Sequence, residues 1–257
     1  NIMSRIDDPN MLTIQKLVDP YFYRNRLTMP KLVINAVADE FQQPDDTRYW
    51  WDEMPGPKHF IMTPNAEHSE ATGILEIIPA ISAWINNLLE DNIIPEFTWD
   101  ISDETGAITA TLNEHGDVKE AQVWYAYSCG NNPDGKKRRD FRIANTDSPC
   151  ECGIEVQGMC ANLKSFWTPK KLVEDKNADG MRTYTAQIDA PDDGRWVAFF
   201  IDIVYAKNKI DSLIPNIDIL PGFIPRDLIQ RLQFTTEVSV WPNTFPYPGC
   251  GIQDGVD

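Results

Sequence analysis

The pattern of apolar residues changes near residues 92–95, and this change constrains the fold more than any other feature of the chain. Before it, short apolar runs alternate with segments of helical spacing. After it, β-type runs follow one another, separated by Gly, Asp and Pro turns. Strand–helix alternation is typical of a parallel sheet, and successive short strands are typical of an antiparallel sandwich. The sequence therefore predicts an α/β portion followed by an all-β domain.

The α/β portion is predicted to occupy residues 1–93. The run from Leu32 to Ala38 is apolar except for one asparagine, as in a strand buried on both faces of a parallel sheet, and KHFIMTP predicts a second strand. Helices are predicted for Met11–Tyr23 with a break at Asp19-Pro20, for Pro44–Met54 and for Ala71–Glu90. We interpret this portion as the C-terminal part of an α/β-hydrolase-like parallel sheet.

The all-β domain is predicted to occupy residues 94–243 and to be an immunoglobulin- or fibronectin-like sandwich, followed by a tail over 244–257. Its strands are predicted in FTWDIS, AITATLN, VKEAQVWYAYS, TYTAQIDAP, RWVAFFIDIVY and LQFTTEVSVWP. The proline-rich stretch 208–226 predicts a long loop within this domain.

Charge and hydropathy exclude two classes of partner. The net charge is -16, and no basic stripe offsets it, so we expect no nucleic-acid partner. The most apolar stretch, Gly73–Leu89, is interrupted by Glu76 and Pro79, and we expect no membrane span. The first ten residues resemble a cut end rather than a signal peptide, so either the protein was processed or an upstream segment of the same protein precedes them.

Five cysteines lie in the second half of the chain, which indicates disulfide staples and an extracellular location. The spacing of Cys150 and Cys152 and the absence of a nearby histidine favour disulfides over zinc. A bridge between those two residues would be strained, so we expect Cys129 to pair within the 149–160 loop. This leaves Cys250 without an assigned partner.

Two loops that follow the predicted parallel strands carry the candidate catalytic residues. Asp39 follows the first strand in NAVADEF, and His68 follows the second in PNAEHS. Active groups of α/β sheets lie at the carboxyl ends of strands, and in α/β-hydrolases the chain order is Ser, Asp, His. Imidazole can take and return the serine proton, while a carboxylate fixes its tautomer. We predict that Asp39 orients His68.

Several alternatives remain open at this site. Glu40 competes with Asp39 for the role of the acid, and His68 could instead cap the helix that begins near Ala71. His59 and His115 are less well placed. No serine lies in a G-x-S-x-G elbow, and Ser69 is too close to His68 in the chain to reach its ring, so the nucleophile is expected outside this chain.

Four weaker signals have plain structural interpretations. DKNADG, with Asp175, Asn177, Asp179 and Gly180, resembles a calcium loop, but Ala186 stands where a bidentate Glu is needed, which favours a hairpin turn. The basic run 136–139 suggests polyanion binding or a proteolytic site, but a solvated loop is favoured. Trp50 and Trp51 could line a pocket, but core packing of one of the two is favoured. A carbohydrate-binding module would need an exposed row of aromatic rings, namely Trp99, Trp124, Trp167, Trp196 and Trp241.

A family resemblance joins these motifs. DPYFYRNRLTMPKLVINAVADEF, the Met54-Pro55-Gly56 turn, PNAEHS and the FTW opening of the sandwich resemble the C-terminal half of the PhoPQ-activated pathogenicity-related family, which includes autocrine proliferation repressor-like proteins. The similarity runs from about Asp19 to the Trp241-Pro242 end. The resemblance implies a secreted α/β-hydrolase of peptidase or esterase type, with Asp39 as the acid and His68 as the base.

Two functions therefore compete. In the first, the chain is part of a serine hydrolase-like protein that acts on a peptide or ester substrate, needs no cofactor or metal, and takes its serine from an upstream segment. In the second, it is a non-enzymatic secreted factor whose hydrolase scaffold and sandwich bind a cell-surface receptor. The sequence does not identify the substrate, the receptor or the oligomeric state.

Overall fold

The computed structural model describes residues 8–206 and 232–247. The predicted loop at 208–226, Cys250 and most of the predicted tail lie outside these residues. The described chain is mostly β-strand, with few helices. The helices are α1 (Pro9–Val18) and α2 (Ile74–Leu89), with short 3-10 segments at Pro20–Arg26, Asp46–Tyr49, Ala71–Gly73 and Leu163–Ser165. The strands are β1 (Lys31–Ala36), β2 (Lys58–Thr63), β3 (Phe97–Ile101), β4 (Ile108–Leu112), β5 (Val118–Tyr127), β6 (Ala144–Asn145), β7 (Ile154–Val156), β8 (Met159–Ala161), β9 (Thr168–Lys171), β10 (Asp175–Lys176), β11 (Arg182–Ala186), β12 (Val197–Tyr205), β13 (Gln233–Thr235) and β14 (Ser239–Trp241).

The chain forms two compact units. The first contains the described residues up to Lys31 together with Asp46–Lys58, and the second contains Leu32–Asp45 together with the described residues from His59 onward. The predicted boundary between residues 93 and 94 remains a prediction. In the second unit, Ile61 of β2 and Ala80 of α2 belong to the same buried cluster as the strands of the β-rich region.

Within the first unit, the R-L-T-M-P-K segment is organised by the side chain of Lys31. Its ammonium donates hydrogen bonds to the carbonyl oxygens of Leu27 (2.7 Å) and Pro55 (2.6 Å), which joins this segment to the turn before β2. Gly56 in that turn has a φ of +79°, and a Cβ there would lie 2.4 Å from the carbonyl oxygen of Thr28. Only glycine fits this close approach.

The predicted helices are only partly present. Helix α1 ends at Val18, and a 3-10 segment begins at Pro20, so the predicted break at Asp19-Pro20 is confirmed. The predicted helix over Pro44–Met54 is wrong, since only the 3-10 turn Asp46–Tyr49 forms, followed by further turns. A segment this short, flanked by prolines, gains too little from backbone hydrogen bonds to sustain a regular helix.

In the second unit, two antiparallel sheets share one hydrophobic core. One has the order β10-β11-β4-β3, and the other has the order β13-β12-β5-β9 with β14 also paired to β12. All nine residues of β12 are buried, because its two faces are both covered. The core draws Ile108 and Tyr184 from the first sheet and Phe199 and Ile201 from the second. The structure confirms the prediction that the region after residue 94 is rich in β-strands.

Two disulfides staple the region around the small sheet β6-β8-β7. Cys129 bonds to Cys152, and Cys150 bonds to Cys160. The expectation that Cys129 pairs within the 149–160 loop is confirmed. The two bonds cross-link a residue just after β5 and a residue of β8 to the short segment between Cys150 and Cys152.

Before the sandwich, β1 and β2 form a two-stranded sheet, and α2 follows. The segment Ala71–Leu89 has the length and composition of a membrane-crossing helix, but 39% of it is buried inside the structure. Ile77 and Ala80 lie on its buried side. Gly73 lies so close to β2 that a Cβ would come within 2.2 Å of the Thr63 side chain, so the start of the helix packs tightly on this strand.

Candidate functional site

The loops that follow β1 and β2 lie side by side. The backbone N–H of Val37 donates to the carbonyl of Thr63 (3.2 Å), and that of Ala38 donates to the carbonyl of Ala66 (3.0 Å). Both bonds join the end of β1 to the end of β2 and the loop that follows it. The residues that follow Ala38 and Ala66 therefore meet at one edge.

The structure brings the two predicted site residues together at this edge. Asp39 Oδ2 lies 2.8 Å from Nδ1 of His68. The other carboxylate oxygen of Asp39 accepts hydrogen bonds from the backbone N–H groups of Phe41 (2.6 Å) and Gln42 (3.0 Å). The Asp39 side chain is 10% exposed, whereas that of His68 is 55% exposed. The carboxylate is thus fixed inside its loop, and the imidazole extends into solvent.

Two neighbours of Asp39 hold His68 by other means. Glu40, the alternative acid, accepts a hydrogen bond from the backbone N–H of His68 (3.0 Å) and does not bond its ring. The ring of Phe41 meets the imidazole edge-on, with 4.7 Å between the ring centres. Three successive residues therefore contact the backbone and the ring of His68, and Asp39 is the one that bonds the imidazole.

The electrostatics of the pair favour an ionised acid and a more basic imidazole. Burial acts to raise the pKa of Asp39, but the hydrogen bonds from Phe41, His68 and Gln42 outweigh it and lower the pKa below its usual value. The hydrogen bond to Asp39 raises the pKa of His68, and the charges of Glu40 and Glu67 add to this increase. An imidazole with this environment is a stronger base than a free one.

The far nitrogen of the His68 ring, Nε2, has no hydrogen-bond partner among the described residues. The hydroxyl of Ser69 bonds instead to the carboxylate of Glu67 (2.7 Å). The alternative interpretation, that His68 caps the following helix, is wrong, because the N–H of Ala71 is taken by Glu67 (3.2 Å) and Ser69 (3.3 Å). The nitrogen that faces solvent therefore remains available for a proton.

A further carboxylate behind the pair was not predicted. Glu70 adopts a left-handed conformation with a φ of 57°, and both of its carboxylate oxygens are buried. Burial raises its pKa to about 7, with the charges of Asp39 and Glu67 adding to this increase and with Thr63 and His68 opposing it. Nothing in the sequence distinguishes Glu70 from other acidic residues, because its burial follows from the turn into α2.

A polar cleft of about 420 Å³ adjoins Asp39. One wall carries Asp39 and Glu40, and the other comes from the stapled segment of the sandwich, including Arg138, Arg139 and Arg142. The prediction that the basic run 136–139 is a solvated loop is wrong for Arg139, which is only 8% exposed. Its burial is possible because the carboxylate of Asp45 pairs with it.

The other predicted motifs are structural. Asp175–Lys176 and Arg182–Ala186 form an antiparallel hairpin, and the side chain of Asn177 accepts from the N–H groups of Asp179 and Met181 in its turn, so the hairpin prediction is confirmed. The described residues contain no group of three His, Cys, Asp or Glu side chains that could hold a metal ion. The five sandwich tryptophans are buried or half-buried and form no exposed row. In the first unit, Trp51 is buried, and Trp50 lines an apolar cleft of about 500 Å³.

Comparison with known proteins gives this site a family context. The chain is 31% identical over 258 residues to autocrine proliferation repressor protein A of Dictyostelium discoideum, a match that covers 97% of the chain and 45% of that relative. The chain thus spans about half the length of the curated relative. A family model matches residues 1–142, which include both site residues and more than half of the chain. On this evidence, the chain belongs to the PhoPQ-activated pathogenicity-related protein family.

Proposed function

We propose that the chain supplies the acid and the base of a serine hydrolase-type site, with Asp39 orienting His68. The observation that carries this proposal is the 2.8 Å contact between Asp39 Oδ2 and His68 Nδ1, combined with a second ring nitrogen that faces solvent. This is the arrangement in which a carboxylate fixes the tautomer so that the far nitrogen can accept a proton from a nucleophile.

The proposal extends to the fold and the location. In it, residues 1–93 are the C-terminal part of an α/β-hydrolase-like parallel sheet, residues 94–243 are an immunoglobulin- or fibronectin-like sandwich, and 244–257 are a tail. The side-by-side loops after β1 and β2 support the first assignment, because hydrolases carry their acid and base in such loops. The two disulfides support an extracellular location. The nucleophile comes from a segment outside this chain, and the substrate is an ester or a peptide.

The test is covalent labelling of the longest natural form of the protein with a fluorophosphonate probe. We expect labelling in the unaltered protein and a loss of at least about 100-fold in His68→Ala, because the serine is no longer activated. His115→Ala is the matched control, since His115 lies exposed in a turn and should leave labelling unchanged. A well-folded protein that takes no label, or an H68A variant that labels normally, would rule out the hydrolase function.

A second candidate function is a secreted signalling factor that uses the same scaffold to bind a cell-surface receptor. The name of the relative, an autocrine proliferation repressor, favours it. A proliferation assay with added protein separates the two functions, because repression that persists in His68→Ala requires binding and no proton transfer. Repression lost together with labelling would instead join the two functions at one site.

A further inference from the structure

Two contacts connect the sandwich to the loops that carry Asp39 and His68, and neither contact involves these two residues. The loop with Asp39 runs from Ala38 to Asp45, and the loop with His68 runs from Pro64 to Glu70. Each loop is bonded once to the other near its start, where Ala38 meets Ala66. Each loop is also hydrogen-bonded to the β-rich region, the first through Asp45 and the second through Asn65.

The first contact is a buried ion pair at the end of the Asp39 loop. Both terminal nitrogens of Arg139 donate to the carboxylate of Asp45, one of them at 2.9 Å. The two side chains are only 5% and 4% exposed. A two-bond guanidinium–carboxylate pair fixes orientation as well as distance, and its strength is little reduced by salt when it is buried.

The segment that contains Arg139 is firmly held. The residue lies ten positions after Cys129, whose disulfide to Cys152 fixes the segment that leaves β5. The backbone N–H of Cys129 donates to the carbonyl of Asp140, next to Arg139 (3.1 Å). The ring of Phe245 lies 5.1 Å from the guanidinium. Asp45 is therefore attached to a firmly held part of the sandwich.

The second contact holds the His68 loop. The side-chain amide of Asn65 donates to the carbonyl oxygen of Trp167 (3.0 Å) and accepts from the N–H of the same residue (2.8 Å). Trp167 is 1% exposed and packs against Phe141 and Phe200, so its backbone cannot move freely. Asn65 has a φ of 55°, a conformation that asparagine tolerates better than most residues. This pair of bonds anchors the loop three residues before His68.

From these contacts we infer that Arg139 and Asn65 are positioning residues, through which the β-sandwich holds the Asp39 loop and the His68 loop in the orientation that the proposed proton transfer needs. The inference rests on the proposed function. It gives the sandwich a role in the site other than substrate binding. The hydrogen bond between acid and base is directional, so small displacements of either loop weaken it.

The test is to measure the pKa of the His68 imidazole by NMR titration, in variants that each remove the contact between one loop and the sandwich. Asn65→Gly removes the side-chain bonds and keeps a residue that tolerates the positive φ. The double change Arg139→Met with Asp45→Leu removes the ion pair without leaving an unpaired buried charge, which keeps the fold intact. In both variants we expect the pKa of His68 to fall toward that of a free imidazole, because its bond to Asp39 weakens.

Matched controls are Asn177→Gly, at a hairpin turn, and Arg182→Met with Glu174→Leu, an exposed ion pair of the sandwich. These should leave the titration of His68 unchanged. A folded Asn65→Gly variant and a folded double variant that both titrate like the unaltered protein would overturn the inference.

The titration also separates this inference from the proposed function. Asp39→Asn is the reference variant, since it removes the charge that bonds the ring. If Asp39→Asn lowers the pKa of His68 but the two positioning variants do not, the positioning role fails and the acid–base pair stands. If the positioning variants lower the pKa but the longer protein takes no fluorophosphonate label, the sandwich positions the pair and the hydrolase function fails.

Discussion

Strand β2 and the loop that follows it each carry a histidine, and the two histidines have opposite properties. His59, on the strand, is 7% exposed, and burial lowers its pKa to about 4. Its Nδ1 accepts a hydrogen bond from the indole of Trp84 (3.2 Å), and its ring packs on Phe234. His68, nine residues later, has a carboxylate partner and reaches solvent, and its pKa is raised.

The difference shows that the residue type alone does not make a base. An imidazole that is buried without a charged partner stays neutral and serves packing, whereas one that is bonded to a carboxylate at an exposed edge can take a proton. In the proposed function, the strand contributes stability and the loop contributes the proton transfer. Four measurements test this division.

The largest expected effect is a loss of stability when a buried side chain of strand β2 is shortened. Ile61→Ala should lower the free energy of unfolding by about 3 kcal/mol, because the side chain is fully buried in the main cluster and its loss leaves a cavity. Chemical denaturation measures the change. Ile78→Ala on α2, where the side chain is 44% exposed, is the control and should change stability by less than about 1 kcal/mol. A loss at Ile61 no larger than the control would show that β2 is not a stabilising element.

The second effect is the pH dependence of stability that His59 produces. Since its pKa is lowered in the folded state, the unfolded chain binds the proton first, and stability is lost as the pH falls from about 6.5 to about 4. The loss should reach up to about 3 kcal/mol. His59→Asn, which keeps an acceptor for Trp84 and does not titrate, should remove most of it in denaturation series at several pH values. His115→Asn is the control. An unchanged slope in His59→Asn would contradict the burial argument.

Glu70, in the loop, should produce a smaller pH dependence of stability, with the opposite sign. Its pKa is raised to about 7, so the folded state keeps a proton that the unfolded state has released, and stability falls as the pH rises from about 4.5 to 7. After allowance for solvent screening, Glu70→Gln should stabilise the protein by about 1 kcal/mol at pH 8. It should have almost no effect at pH 5. Glu90→Gln, on an exposed residue, is the control and should leave the stability unchanged at both pH values. Equal effects of Glu70→Gln at pH 8 and pH 5 would argue against a buried carboxylate.

The smallest effect concerns the charge next to the pair. Glu40→Gln keeps an acceptor for the backbone N–H of His68 but removes a charge that raises the pKa of the ring. The pKa of His68 should therefore fall, by less than in Asp39→Asn, in an NMR titration. Glu104→Gln, at an exposed turn, should have no effect. A larger shift in Glu40→Gln than in Asp39→Asn would make Glu40 the acid of the pair.

Much of the fold and part of the site followed from sequence patterns. The β-rich region was predictable because alternating runs such as AITATL place apolar residues on one face of a strand. The Asp39–His68 contact was predictable because both residues follow apolar strands at corresponding positions. The Cys129 pairing followed from the strain of the alternative bridge. These features depend on local pattern and on simple covalent geometry.

Other features could not be read from the pattern. Arg139 lies in a basic run that resembles any solvated loop, and its burial depends on a carboxylate 94 residues away. Asn65 resembles an ordinary turn residue, and its role depends on the backbone of Trp167. The Pro44–Met54 segment has helical spacing but forms mostly turns. For Arg139 and Asn65, long-range contacts outweigh the local preference, whereas the Pro44–Met54 segment is too short and too closely flanked by prolines to form a regular helix.

The main strands, the candidate acid and base, and the cysteines that can bond could be read from the sequence, because they depend on side-chain chemistry and short-range periodicity. The folded structure was needed to show the burial of Glu70, the opposite pKa shifts of His59 and His68, and the residues of the β-rich region that hold the two loops. The physical reason is that pKa values and orientation depend on burial and on partners distant in the chain, and only the folded arrangement brings these together.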